Sequence, residues 1–380
     1  MLSLEEGKQA SIQQQEPYAV VAITKHGAEL GRKVAATFPG VDLYYMSKFA
    51  RGDEEQKDIQ LFEGSVRLLL PSLFKVYTGI ILIISLGAVV RMIAPLLKDK
   101  KTDPGIVVVD DKGENVISVL SGHLGGANEL TKELAVALEA TPVITTASDV
   151  QKTIPVDLFG KRFGWVWDSP DKLTPVSASV VNEERVAIVQ ESGETNWWHH
   201  GRPMPAHLTV YPSIQSAIDA KPNATLLITH RLITEEAAPL LENGVVYRPK
   251  VLVLGIGCNR GTTSEEIEAV IQKTLEELNV SIKSVQAIAT INLKKDEEGL
   301  LTVAQKYQWG FHYYTPDELN QVSIEQPSNM VYKYTGAYAV SEPAALLDSG
   351  ADKLLLVKKK SGNVTISVAV KSFIENRAGA

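Results

Sequence analysis

The sequence contains a single cysteine, Cys258, so no disulfide can form within the chain of 380 residues. A long basic stretch is also missing. The 38 lysine and arginine residues are outnumbered by 45 acidic ones, and a net charge of −7 argues against a nucleic-acid partner. Residues 1–17 are polar and lack the apolar core of a signal peptide. We therefore expect a disordered tail over residues 1–17 and a cytoplasmic protein.

One apolar run is long enough to consider as a membrane span. Residues 79–97 are almost wholly apolar, but Gly87, Arg91 and Pro95 interrupt them. A buried strand, a glycine turn and a helix explain this run better. We therefore expect no membrane partner.

The first third of the chain alternates short apolar runs with amphipathic stretches. Alternation of strands and helices predicts an α/β domain with a mostly parallel sheet. The strands are predicted at residues 18–24, 41–46, 80–85, 106–109, 116–120 and 142–145. The helices are predicted at residues 28–38, 61–77, 87–97 and after the loop 121–126. This domain is expected to span residues 18–145.

Two further regions follow. Residues 146–249 are rich in proline and weakly periodic, which predicts a smaller middle region with strands near residues 186–190, 208–211 and 226–230. Residues 250–380 read as a second α/β domain. Thr263 and Glu266 have the spacing of a capping box, Ser341 is expected to cap the last helix, and residues 353–370 are expected to form a hairpin. The predicted fold class is two α/β units with mostly parallel sheets, joined by the middle region.

A glycine-rich loop between a strand and a helix is the strongest candidate site. It contains Ser121, Gly122, Gly125, Gly126 and Asn128. Its glycines let backbone N–H groups approach a ligand, and the helix N-terminus favours an anion. His123 in the same loop can move protons near neutral pH. The alternative is a tight turn with a histidine that only packs.

A second loop, containing Gly255, Gly257, Arg260 and Thr262, also joins a strand to a helix. Arginine stands where a dinucleotide fingerprint needs its third glycine, and the Lys-Ser/Thr ending of a phosphate-binding P-loop is missing. Arg260 could instead pair with a ligand carboxylate, or lie on the surface of a plain turn. Cys258 is expected to be a small buried residue rather than a nucleophile.

The remaining polar candidates are weaker. Arg91 in its apolar helix needs a partner, which is either an internal carboxylate or an anionic ligand. The charged segment from Lys294 to Glu298 reads as a solvated turn, and Glu342 could serve the dipole of the last helix. His199 and His200 are adjacent and have no second ligand cluster, so we expect no metal site.

Several segments, in this order and spacing, resemble the cobalt-precorrin-5A hydrolase (CbiG) family of anaerobic cobalamin synthesis. They are GAVVRMIAPLLKDK at residues 87–100, SGHLGGAN at 121–128, PVITTASD at 142–149, GIGC at 255–258 and LKKDE at 293–297. The resemblance covers most of the chain after about residue 60 and is weak in the middle region. Two departures concern the C-terminal part: Asn292 stands where the family usually has aspartate, and Ser341 and Pro343 flank Glu342 in place of alanines.

The resemblance implies a hydrolase that opens a lactone on a cobalt tetrapyrrole and releases acetaldehyde. For this reaction we expect His123 to act as the base and Glu342 or Glu297 to carry a second proton transfer. Gly125 and Gly126 would supply oxyanion donors. Arg91, Ser121, Gly122, Asn128, Gly255, Gly257, Arg260, Thr262 and Lys294 are the expected substrate-binding residues. No cofactor is expected, because the substrate carries the cobalt, and the chain could form a homodimer.

Two alternatives stay open at this point. The chain could be a non-catalytic tetrapyrrole carrier, which would bind substrate without forming product. It could also be a nucleotide-dependent enzyme that uses the loop from Gly255 to Thr263, although that loop meets neither nucleotide motif.

Overall fold

The structure is a computed structural model that describes residues 2–4, 10–198, 201–233, 235–371 and 373. The chain divides into two compact units, Met1–Leu158 and Phe159–Ala380. Among the described residues, no helix is long and apolar enough to span a bilayer.

Within the described residues, the first unit forms an eight-stranded sheet. Its strands are β1 (Leu2–Ser3), β2 (Tyr18–Ala22), β3 (Val41–Met46), β4 (Gln60–Glu63), β5 (Gly79–Ile83), β6 (Gly105–Val109), β7 (Asn115–Leu120) and β8 (Thr141–Val143). Their spatial order is β1-β4-β3-β2-β5-β6-β7-β8. Neighbouring strands are parallel except β6 and β7, which are antiparallel. Strands β7 and β8 therefore run opposite to the other six.

Helices cover both faces of this sheet. They are α1 (Lys25–Thr37), α2 (Val66–Val76), α3 (Leu86–Ile93), α4 (Ala127–Leu138) and α5 (Ala147–Gln151). The central strands β5 and β6 are buried at every position, as expected for strands covered on both faces. Leu130, Leu134 and Leu138 of α4 pack into one of the two cores. The mostly parallel α/β architecture predicted from the sequence is confirmed.

Two sequence expectations for this unit need correction. The helix predicted over residues 61–77 begins only at Val66, because residues 60–63 pair with β3 as strand β4. The predicted disordered tail does not hold for residues 2–4 and 10–17. Leu2, Leu4 and Ile12 pack against the core, and the backbone N–H groups of Gln15 and Glu16 donate to Asp42. Burial of these apolar side chains stabilises the segment in place, although most residues of the tail are polar.

The middle region forms a five-stranded sheet of its own among the described residues. Its strands are β9 (Val166–Trp167), β10 (Val186–Gln190), β11 (Leu208–Tyr211), β12 (Ala224–Ile228) and β13 (Gly244–Arg248), in the order β11-β10-β12-β13-β9. Only the β9–β13 pair in it is antiparallel. Its helices are α6 (Leu173–Val181), α7 (Ile214–Ala220) and α8 (Ala238–Leu241).

This region belongs to the same compact unit as the C-terminal residues. The buried Arg248 donates to Asp168, which also accepts from Lys283, each at 2.5 Å. The backbone N–H of Ser281 donates to the carbonyl of His230 at 2.7 Å. The Asp168–Lys283 ion pair, which is partly exposed, and the Ser281–His230 backbone hydrogen bond join the middle region to the C-terminal part of the chain.

The C-terminal part contains β14 (Leu252–Cys258), β15 (Val285–Ile291), β16 (Gly310–Tyr314), β17 (Leu354–Ser361) and β18 (Val364–Val370). Among the described residues these form a sheet in the order β16-β15-β14-β18-β17, in which β14, β15 and β16 are parallel. The predicted hairpin is present as β17 and β18. The helices are α9 (Ser264–Glu277), α10 (Glu298–Tyr307), α11 (Pro316–Asn320), α12 (Asn329–Thr335) and α13 (Ser341–Ser349).

Two helix starts differ from expectation. The Thr263 side chain caps α9 as predicted, but the Glu266 carboxylate accepts from Asn363 instead of closing a capping box. Ser341 is the first residue of α13 and does not cap it; its hydroxyl instead accepts from Ser367. In both places a partner from the β18 side of the sheet offers a hydrogen bond that replaces the local one.

Candidate active site in the first unit

The loop that contains His123 lies at the carboxyl ends of β7 and β8. Because β7 reverses direction after β6, this edge of the sheet is the one where β5 and β6 begin. A Cβ on Gly105, the first residue of β6, would lie 2.5 Å from the Gly125 carbonyl oxygen. The loop therefore lies at the edge of the sheet where the six other strands have their amino ends. The site instead uses the carboxyl ends of the two reversed strands.

The His123 ring is held by two carboxylates. Its Nε2 lies 3.0 Å from Asp149 Oδ2 and 3.0 Å from the Ser148 hydroxyl oxygen. Its Nδ1 lies 3.1 Å from Asp157 Oδ1. The side chain is only 17% exposed, so the ring is not a freely solvated group. Direct contact of a ring nitrogen with a ligand therefore requires one of these partners to move.

These carboxylates raise the pKa of His123 to about 9, against an opposing effect of burial. The hydrogen bond from His123 also lowers the pKa of Asp149 to about 2. At neutral pH the imidazolium is therefore the dominant form of His123 in the free protein. The base role expected for His123 needs the neutral ring, so this geometry favours an acid or an electrostatic role instead.

A buried asparagine organises the carboxylate side of the site. The Asn128 amide donates to Asp149 at 2.8 Å and to Thr146 at 2.9 Å, and its oxygen accepts from Ser118 at 2.6 Å. Lys132 adds a contact to Asp149 at 3.1 Å. Asn128, expected to bind substrate, thus fixes the position of Asp149 in the free protein.

The loop glycines permit close packing more than they expose donors. A Cβ on Gly125 would lie 2.4 Å from the Ser121 Cβ, so no larger residue fits there without a shift. The Gly126 N–H donates to the His123 carbonyl at 3.1 Å, and the Gly122 carbonyl accepts from the Asn128 N–H at 2.9 Å. The oxyanion-donor role expected for Gly126 therefore disagrees with the structure, because its N–H is already bonded within the turn.

Ser121 and Arg91, which were both expected to bind substrate, have different surroundings. Ser121 takes a left-handed backbone conformation with φ of 54°, and its buried hydroxyl has no hydrogen-bond partner among the described residues. Arg91 is exposed, and its guanidinium donates to the Gly87 carbonyl of its own helix at 2.9 Å. The expectation that Arg91 needs a partner in an apolar setting is thus wrong, because solvent reaches it.

In the second unit, the loops after β14 and β15 meet at the carboxyl edge of two parallel strands. The Glu297 carboxylate, only 3% exposed, accepts from the Gly261 N–H at 2.6 Å and from Lys294 at 2.9 Å. These hydrogen bonds keep the pKa of Glu297 below its usual value even though burial opposes them. Glu297 and Lys294, expected to act in catalysis and binding, are therefore paired with each other in the free protein.

The arginine of this loop remains available to a ligand. Arg260 donates to Asp296 at 2.8 Å and to the Leu293 carbonyl at 3.1 Å, and its side chain is 62% exposed. Thr262 is buried, and its hydroxyl donates to the Asn259 carbonyl at 2.8 Å. Arg260 can thus exchange an exposed carboxylate for one on a ligand at little cost, whereas Thr262 shapes the turn.

The first glycine of this loop allows a helix to approach the sheet. A Cβ on Gly255 would lie 1.8 Å from the Ser341 carbonyl oxygen, at the start of α13, while one on Gly257 would make an ordinary contact with Val340 at 3.6 Å. Cys258 is half-buried rather than fully buried as expected, and burial raises the pKa of its thiol, which argues against a nucleophile.

Glu342, in the first turn of α13, is a buried carboxylate with incomplete pairing. The residue is 2% exposed, its Oε2 has no hydrogen-bond partner among the described residues, and Lys358 Nζ lies 3.6 Å away. The Asn292 side-chain oxygen, after β15, is also buried without a partner in the described part of the chain. Such groups are uncommon and often mark functional positions.

Sequence reasoning missed the partners of His123. Ser148 and Asp149 were part of a segment that carried the family resemblance, but Asp149 lies 26 residues from His123, and Asp157 lies further along the chain. The sequence signal for these partners is a histidine in one loop together with a Ser-Asp pair in the first turn of a later helix. His199 and His200 lie outside the described residues. No group of three or more His, Cys, Asp or Glu side chains in the described part of the chain is arranged to hold a metal ion.

Three family models match successive parts of the chain: Cobalamin synthesis G N-terminal over residues 69–149, Cobalamin biosynthesis central region over 154–249, and Cobalamin synthesis G C-terminus over 252–369. The chain is 69% identical over 370 residues to the cobalt-precorrin-5A hydrolase of Priestia megaterium, covering 97% of this chain and 99% of that protein. It is 31% identical to the cobalt-precorrin-5A hydrolase of Salmonella typhimurium, and that alignment covers 93% of this chain and 98% of that protein. A solved cobalamin biosynthesis protein G homologue from Sulfolobus solfataricus aligns over 93% of this chain and 97% of its own, with 22% identity and a TM-score of 0.37.

Proposed function

Because the chain belongs to the cobalt-precorrin-5A hydrolase family, we propose that it hydrolyses cobalt-precorrin-5A to cobalt-precorrin-5B and acetaldehyde in cobalamin biosynthesis. One observation carries this proposal: 69% identity over nearly the full length of a protein with that name. The order and extent of the three family regions support it.

The proposed reaction consumes one water and no oxidant. Water adds to the lactone carbonyl carbon and the acyl C–O bond breaks, which leaves a carboxylate on the macrocycle and a hydroxyl on the former bridging carbon. The carbon–carbon bond from that carbon to the macrocycle then breaks. The hydroxyl loses its proton to give acetaldehyde, and the macrocycle keeps the electron pair and takes up a proton.

We assign the acid function in this sequence to His123. An imidazolium between Asp149 and Asp157 holds a proton at neutral pH and can deliver it when substrate displaces the Ser148 hydroxyl. After it has given up this proton, the neutral His123 ring can act as a base and take a proton back. The base that activates water in the first step is a separate group in this scheme.

The C-terminal loops supply carboxylate recognition and a second proton carrier in this proposal. Arg260 is exposed and can form a two-pronged pair with a carboxylate of the substrate. The buried Glu342, with one oxygen unbonded among the described residues, is our candidate for the second proton transfer. Glu297 orders the loop by holding Gly261 and Lys294.

The protein needs no cofactor of its own in this scheme, because the cobalt macrocycle of the substrate accepts the electron pair. A cytoplasmic location and a homodimer stay predictions.

The test is acetaldehyde release from cobalt-precorrin-5A prepared anaerobically, with the native protein and its His123→Ala variant. We expect release by the native protein and a loss of about 10²- to 10⁴-fold in kcat for the variant, the usual range for a proton-transfer residue. Equal rates with a folded variant would remove His123 from the mechanism. Tight substrate binding without acetaldehyde from either protein would favour the carrier alternative.

A further inference from the structure

Helix α12 carries large apolar side chains without burying any of its residues. Met330 and Tyr334 are 74% and 76% exposed, and Tyr332 and the neighbouring Tyr338 are also exposed. A helix normally buries its apolar face against the core, and clustered exposed aromatics on a folded protein mark a binding surface. We refer to Met330, Tyr332, Tyr334 and Tyr338 as the aromatic platform.

Contacts within the chain hold two rings of the platform, Tyr332 and Tyr338, in place. The Tyr332 and Tyr338 rings stack with centroids 4.5 Å apart and planes 24° from parallel. The Tyr338 N–H donates to the Asn320 side chain at 3.0 Å, and its carbonyl accepts from the Ser328 N–H at 3.0 Å. A preformed flat surface binds a rigid flat ligand with little loss of side-chain entropy.

The segment that follows the platform approaches the strand that precedes the Arg260 loop. The chain reaches the platform from the carboxyl end of β16, at the same edge of the sheet as the carboxyl ends of β14 and β15. Two residues after Tyr338, Val340 lies 3.6 Å from the place where a Cβ on Gly257 would sit. Lys333 is exposed on the platform helix itself, and Arg260, three residues after Gly257, is exposed in the loop after β14.

We propose that the aromatic platform is the surface on which the macrocycle of the substrate stacks, with its carboxylates directed to Arg260 and Lys333. A flat, apolar macrocycle surrounded by carboxylates matches both features, because its face gains from ring stacking and its edge from cations. A protein partner would be matched less well, because lysine, present here as the exposed Lys333, is depleted in protein–protein interfaces. This inference rests on the proposed function and adds residues to it.

The test uses the full chain with Tyr334→Ala and with the double variant Tyr332→Ala/Tyr338→Ala, each matched by the corresponding Phe variant. Acetaldehyde release gives kcat and KM, and an absorbance titration with cobyrinic acid, a stable cobalt macrocycle with carboxylate side chains, gives Kd. We expect the Ala variants to raise KM and Kd by about tenfold while kcat stays within about twofold. The Phe variants keep the rings and lack only the hydroxyl groups, so we expect them to have native KM and Kd. If a hydroxyl hydrogen bond were responsible for binding, the Phe variants would raise both constants as the Ala variants do.

Thermal unfolding and size-exclusion chromatography on the same variants distinguish ligand stacking from misfolding and from self-association. Ala variants that fold normally and keep the native KM and Kd would overturn the platform. A changed oligomeric state with unchanged Kd would also overturn it and would assign the surface to a second copy of the chain. If the native protein releases no acetaldehyde but binds cobyrinic acid through the rings, the proposed function fails while the platform stands.

Discussion

The two glycine loops look alike in sequence, yet they form different kinds of site. Each follows a strand and opens a helix, but the His123 loop follows a reversed strand, whereas the Arg260 loop follows one of three parallel strands. His123 is enclosed by two carboxylates, and Arg260 remains exposed with a surface partner. A strand–glycine–helix motif therefore specifies a turn, while strand direction and distant partners decide its chemistry.

The glycines of the second loop offer the largest test of this difference. Gly255→Ala places a Cβ 1.8 Å from a backbone oxygen of α13, whereas Gly257→Ala makes an ordinary contact. We expect Gly255→Ala to lower the free energy of unfolding by about 3 kcal/mol or more, because backbone must shift to admit the methyl group. Gly257→Ala is the matched control, with an expected change of less than about 1 kcal/mol. Denaturant unfolding measures both, and equal effects would show that close approach of α13 is not what requires glycine.

The pH dependence of stability tests the enclosure of His123. Its pKa is raised from 6.5 to about 9 on folding, so the stabilisation is fully present below about pH 6.5 and is lost as pH rises through 9. We therefore expect the stability difference between the native protein and His123→Gln to shrink by on the order of 3 kcal/mol from about pH 6 to about pH 9.5. Urea unfolding at each pH measures it. A difference that does not change with pH would mean that the ring is not held as an imidazolium.

The smallest expected effect compares a carboxylate that contacts His123 with the exposed carboxylate that contacts Arg260. Asp149→Asn removes the largest influence on His123, so we expect the pKa of His123 to fall by about one unit or more, as read from the ring proton shifts in an NMR titration. Asp296→Asn, at the exposed Arg260 pair, is the control and should leave both the stability and the His123 pKa nearly unchanged, because solvent screens this pair. An unchanged His123 pKa in Asp149→Asn would contradict the geometry of the site.

Most of the first sheet could be predicted from the sequence because its central strands are continuous apolar runs. The strand predicted at residues 41–46 matches β3, and the predicted hairpin at residues 106–120 forms β6 and β7. Strand β4 was missed because Leu61 and Phe62 have spacing that also fits a helix face with the residues that follow. In the middle region, the strands were found at 186–190 and 208–211, but α6 was not, since Pro175 in its first turn reads as a break in sequence.

The sequence predicted which residues belong to the candidate sites, but only partly how those residues are arranged in space. His123 was singled out from its loop, but its protonation depends on Asp149 and Asp157, which approach it only when β7 and β8 lie side by side. Arg91 was expected to be enclosed because its neighbours are apolar. It lies instead on the open side of α3, since helical periodicity turns it away from buried Val89 and Met92.

By itself, the sequence determined most of the strands and helices of the first sheet, where the glycine turns fall, and to which family the chain belongs. These properties depend on local periodicity and on residue identity, which a linear chain carries in full. Only the tertiary structure decided which edge of the sheet holds His123, which carboxylates raise the pKa of its ring, and that the tyrosines of α12 remain exposed. Those properties depend on distances between residues far apart in the chain, and such distances exist only after the sheets have paired.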